Sequence, residues 1–112
     1  MDEDAAATRF MAVVDHMLRN ASGGLQPTGA AIIAAIHMGI GNDSRSLSNQ
    51  LGVAHALVLR EISTLSGTLL RIVRRDARTQ RTFVELTDEA QALAAATSKA
   101  FMKSSLSNFE TP

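Results

Sequence analysis

Hydrophobic periodicity switches from helix to strand at one point in this chain, just after Gly67 in STLSGTLLRIVRRDARTQRTFVELT. Before Gly67 apolar residues recur every three or four positions. After it Leu70 and Ile72 fall on one strand face and Arg71, Val73 and Arg75 on the other, while Val84 and Leu86 alternate with Phe83 and Glu85 in a return strand. The join, RDARTQR, is long and polar enough for an extended hairpin tip. The expected fold class is therefore mainly α with a small β-hairpin.

Four helices precede the switch. Phe10, Val13, Val14, Met17 and Leu18, with Met11 widening the stripe, mark a first helix from about Asp4 to Asn20, which the paired glycines of ASGG end. Pro27 and Thr28 open a second, carrying Ile32, Ile33 and Ile36 and stopping near MGIGND. A short helix from about Ser46 to Leu51, with Ser46 as its N-cap, is joined through Gly52 to a longer one from about Ala54 to Leu65. In the longer helix Val58, Ile62 and Leu65 form a core face that Leu47, Leu51 and Val53 can meet, and this face excludes Leu59 more clearly than Leu57. After the hairpin, Thr87 is the expected N-cap of a last helix, with Asp88 and Glu89 in its first turn and its end near Lys103.

Length and composition exclude several classes. A chain of 112 residues that is 46% hydrophobic and 20% charged builds one globular domain, and no apolar run approaches the roughly 20 residues of a membrane helix. With no Cys there is no disulfide framework or thiolate, and no basic segment leads into an apolar stretch near Met1, so the expected location is cytoplasmic. His16, His37 and His55 fall on three different helices without metal-ligand spacing, and no nucleophile motif or Gly-rich phosphate loop occurs. No metal, cofactor or enzymatic activity is expected.

Charge is where the sequence becomes informative. Lysines and arginines number 11 and acids 11, yet Arg71, Arg74, Arg75, Arg78 and Arg81 crowd the hairpin with only Asp76 among them. Local charge, not the net value of zero, decides whether a surface attracts polyanions. A short helix, a Gly-containing turn and a longer helix suit a helix-turn-helix, and a basic hairpin directly behind it suits a wing beside the DNA groove.

At that point the residues resemble a known family. LSNQLGVAHALVLREISTLSGTLLRIVRRDARTQRTFVELTDEA is similar to the winged helix-turn-helix of MarR-type transcriptional regulators, with Leu47, Leu51, Gly52, Val53, Val58 and Leu65 at the family's apolar and turn positions. Asp76-Ala77-Arg78 fits the D-x-R wing signature, and Val84-Glu85-Leu86-Thr87 fits the segment that returns from the wing. LQPTGAAIIAAI resembles the family's second helix, so the likeness covers roughly Leu25 to Ala90.

The resemblance implies a homodimer that binds double-stranded DNA, with a recognition helix in the major groove and a wing arginine in the minor groove. It divides the single domain into an N-terminal dimerisation helix (1–24), a DNA-binding core and wing (25–87), and a C-terminal helix and tail (88–112). The small residues Ala92, Ala95, Ala96 and Ala100 would let helices approach closely in such a dimer. Arg78 is the candidate for insertion, and Asp76 for bonding backbone N–H groups of the tip or bracing Arg78. Arg71, Arg74, Arg75 and Arg81 are candidates for the DNA backbone, and His55 and Arg60 for the groove. Leu57 and Leu59 stand where DNA-facing residues are expected, and an apolar side chain there meets only thymine methyl groups. The competing reading is a winged-helix interaction module whose apolar helix docks on a protein. No residue cluster marks a small-molecule effector pocket.

Overall fold

The computed structural model describes residues 3–21 and 23–96. The first helix, α1 (Glu3–Asn20), buries Val13, Val14 and Met17 and leaves Met11 59% exposed. Gly23 and Gly24 follow it with φ of 85° and 74°, the left-handed backbone expected of the glycine pair. The second helix, α2 (Pro27–His37), starts on its proline and buries Ile32, Ile33, Ala30, Ala34 and Ala35, which makes it the central helix of the domain. It ends in a Schellman arrangement: Gly39, at φ 73°, donates to the Ile36 carbonyl (3.1 Å), and Ile40 donates to that of Ala35 (2.8 Å).

The short helix α3 (Ser44–Leu51) begins two residues earlier than expected. Its N-cap is Asp43, not Ser46. The Asp43 carboxylate accepts the N–H groups of Arg45 (3.1 Å) and Ser46 (3.0 Å), and the Ser46 hydroxyl donates back to it (2.8 Å). A carboxylate satisfies two early N–H donors and also favours the positive end of the helix dipole, which a serine hydroxyl does less well. Gly52, at φ 66°, closes α3, and α4 (His55–Leu65) follows after Val53 and Ala54. Val58, Ile62 and Leu65 of α4 are buried as the sequence indicated, and α4 packs on α2 and the hairpin as well as on the expected α3.

The hairpin is β1 (Leu70–Asp76) paired antiparallel with β2 (Arg81–Leu86). Its register shifts between Ile72 and Arg74, so Val73 is an extra, unpaired residue. This bulge overturns the strict alternation read from the sequence. Arg71 opposes Glu85 and Arg74 opposes Phe83, two residues apart on β2, so Arg71 and Arg74 share a face. Arg75 opposes Thr82 and takes the other face. A third segment adds to the open edge of β2: Asp43 bridges to Phe83, and the Val84 N–H donates to the Asn42 carbonyl (2.9 Å). The start of α3 is thereby fastened to the wing.

A fifth helix, α5, starts at residue 88 and is described through residue 96. Thr87 caps it as expected, its hydroxyl accepting the Ala90 N–H (3.3 Å) and donating to the Thr68 carbonyl (2.9 Å). Ala90 and Ala94 are buried against the core. The expected continuation to Lys103, with Phe101 and Met102, lies outside the described residues. No helix among the described residues is long and apolar enough to cross a membrane.

Candidate nucleic-acid interface

The sequence-named residues fall on two adjoining surfaces, the outer face of α4 and the wing. Opposite the buried stripe, α4 exposes Ala56, Leu57, Arg60, Ser63 and Thr64. Leu57 is 49% exposed and Leu59 is half-buried, the reverse of the order expected from the core stripe. At about 100° per residue the two lie at nearly equal angles on either side of that stripe, so the helices packed around α4 decide which is covered.

Arg60 is exposed, and its carbonyl accepts the Thr64 hydroxyl at 3.0 Å. His55 is half-buried at the start of α4, and its Nε2 lies 2.9 Å from Ser44 Oγ. Burial, reinforced by the Arg45 guanidinium and opposed by Asp43, lowers the imidazole pKa below the usual histidine value. His55 is therefore neutral near pH 7 and its Nε2 is occupied by a neighbour.

The five wing arginines divide by their partners. Arg81, the first residue of β2 and opposite Asp76 next to the turn, donates to Asp43 Oδ1 (2.6 Å) and to Ser46 Oγ (3.2 Å). Asp43 is 5% exposed, and burial alone would raise its pKa. The Ser46 N–H and hydroxyl together with Arg81 outweigh that and hold it below the usual carboxylate value. At the base of the hairpin Arg71 pairs with Glu85 (3.0 Å), and mid-wing Arg74 lies over the Phe83 ring, 4.0 Å from its centroid. Arg75 and Arg78 are exposed and have no side-chain partner among the described residues. Asp76 Oδ1 accepts the Arg78 N–H (3.0 Å), and Gln80 closes the tip at φ 61° with its side chain donating to the Ala77 carbonyl (3.1 Å). The acid thus fixes the backbone of the tip and leaves the Arg78 guanidinium free.

Ser44 was not legible as a site residue, yet it joins the two surfaces. Fully buried, its hydroxyl accepts the Thr82 N–H of the wing (3.0 Å) and faces His55 of α4. With Asp43 and Arg81 it makes one polar seam through the start of α3, the start of α4 and the start of β2. The Asn-Asp-Ser run before α3 carries a capping signal; its partners lie 38 positions away and leave no local trace. Arg45, exposed in the first turn of α3, adds a basic group beside this seam.

No family model matches the chain, and no curated protein matches it. Solved structures do. MepR, a transcription regulator of the Staphylococcus aureus multidrug efflux pump MepA, superposes with a TM-score of 0.63 at 12% identity, over 97% of this chain and 79% of that one. NadR in complex with 4-hydroxyphenylacetate gives 0.58 at 20% identity, over 86% of this chain and 67% of that one. Lactococcus lactis ZitR, as its C30AH42A mutant, gives 0.57 at 17% identity, over 98% and 82%. The fold of this chain is the winged-helix fold of these regulators, in agreement with the resemblance its sequence carries to the MarR type.

Proposed function

We propose that the chain is a MarR-type transcriptional regulator that binds duplex DNA as a homodimer, with α4 in the major groove and the arginine wing on the adjoining backbone and minor groove. The observation that carries this reading is the wing tip, where Asp76 holds the backbone and the exposed Arg75 and Arg78 have no side-chain partner among the described residues. Free guanidinium groups beside a helix-turn-helix are placed to displace counterions from phosphates and to enter a narrow minor groove. Arg60 adds a donor on the groove-facing side of α4. Arg71, Arg74 and Arg81 would join only by giving up or sharing their present partners, and His55 by leaving Ser44.

Dimerisation rests on the stripe that α1 leaves uncovered. Met11 and Leu18 lie seven residues apart on one helix face, both exposed, and a two-fold partner built on α1 and the C-terminal helix would cover them. Such a dimer sets its two recognition helices about one DNA turn apart, on the order of 34 Å.

The test is a titration of random duplex DNA across salt concentrations. Binding in the micromolar range or better at low salt is expected, with a linear fall of log affinity against log salt. Replacing Arg78 by Ala should lower that slope by about 0.9 per contact, hence about 1.8 for a dimer. The exposure of Leu57 favours a second reading, an interaction module that docks α4 on a protein. A flat titration at low salt would support it over DNA binding.

A further inference from the structure

The outer face of α4 carries unusually little hydrogen-bonding capacity at the end that a recognition helix brings to base edges, its N-terminal turn. His55 Nε2 is engaged by Ser44, Ala56 has only a methyl group, and Leu57 stands 49% exposed. Further along, the Thr64 hydroxyl is spent on the Arg60 carbonyl, leaving the Arg60 guanidinium and the Ser63 hydroxyl. The major-groove edge of DNA offers donors, acceptors and a single apolar group, the C5-methyl of thymine. An exposed leucine finds no other complementary feature there.

Resting on the DNA-binding reading above, we propose that Leu57 is a specificity-determining residue that selects operators by packing against a thymine methyl group. The selectivity is for the methyl group, not for a hydrogen-bonding pattern. It adds nothing to the electrostatic part of binding, which belongs to the arginines.

Duplexes selected from a random pool by the full-length protein would be resynthesised with deoxyuridine replacing one thymine at a time. Loss of one methyl from a contacted thymine should weaken binding about four-fold per half-site, equivalent to roughly 0.8 kcal/mol, and about fifteen-fold when both half-sites of a dimer are changed. Leu57→Ala should weaken binding to the thymine duplex by a similar factor, become insensitive to the uracil replacement, and keep the native salt slope. Leu57 lies outside the core, so the variant should unfold at the native temperature to within a few degrees. The proposal is overturned if every uracil replacement is neutral for the native protein, or if Leu57→Ala keeps full sensitivity at the same position. Salt-dependent binding of random duplex with no selectable sequence would remove this inference and leave DNA binding standing. Absence of duplex binding at low salt would remove both.

Discussion

Arg81 at the start of β2 and Arg78 in the turn just before it are three positions apart and chemically identical, yet the fold uses them in opposite ways. Arg81 is held by a serine hydroxyl and by the buried carboxylate that caps α3, and its side chain is only 38% exposed. Among the described residues Arg78 is held only through its backbone. An arginine whose partner is buried belongs to the fold, because removing either member leaves a desolvated charge, whereas an arginine held only through its N–H is available to a ligand. Stability and binding should therefore separate along a single hairpin.

The largest effect is expected at the Asp43–Arg81 pair. Asp43→Ala removes the α3 cap, typically about 1 kcal/mol, and a charge-assisted hydrogen bond of about 1.5–3 kcal/mol, for a destabilisation of roughly 3 kcal/mol in denaturant unfolding. Asp43→Asn keeps an acceptor for the cap and should lose about half as much. Equal, small losses for both variants would show that Arg81 is no more committed to the fold than Arg78.

At the tip the pattern should invert. Arg78→Ala and Arg75→Ala are expected to leave stability within about 0.5 kcal/mol of the native chain. Their effect should appear only as lower affinity and a shallower salt dependence on duplex DNA. A fall in the unfolding midpoint comparable with that of Asp43→Ala would break the distinction between the anchored Arg81 and the free arginines.

Acid should act on the polar seam around Ser44 first through His55 and then through Asp43. Both have folded-state pKa values below their ordinary ones, so each stabilises the fold most when deprotonated. The His55 contribution is complete above about pH 6.5 and is lost as pH falls through its lowered value; that of Asp43 is complete above about pH 3.8 and is lost below it. Stability should thus decline in two steps on acidification, the first absent in His55→Gln and the second in Asp43→Asn.

Legibility followed the range of the interactions concerned. Periodicity, the Gly23–Gly24 pair, Pro27 and the Thr87 cap act within a few residues, and the elements they mark occur where the sequence places them. Asp76 bracing the tip is equally local. The earlier start of α3 was within local reach too, since its Asp43 cap accepts from Arg45 and Ser46, whereas the Arg81–Asp43 pair and the Ser44–His55 contact depend on segments brought together only by the fold. The bulge at Val73 was hidden for a different reason. A run that satisfies alternation on paper carries no mark of the one residue that the partner strand skips, and that residue decides which face Arg74 and Arg75 occupy.

The base of the wing gives the smallest effect and the sharpest use of the comparison. Arg71 and Glu85 are paired at 3.0 Å with both side chains more than half exposed, so solvent and salt screen the pair and its loss should cost no more than about 1 kcal/mol. Glu85→Gln removes the carboxylate that competes with phosphate for Arg71 while keeping its size. If Arg71 lies within reach of the DNA backbone, this variant should bind duplex more tightly and with a steeper salt slope, by up to about 0.9 per subunit. Arg71→Ala made together with Glu85→Gln should cancel that gain. An unchanged slope in Glu85→Gln would place Arg71 with Arg81, among arginines the protein keeps for itself, and would confine DNA contact on the wing to the residues beyond its bulge.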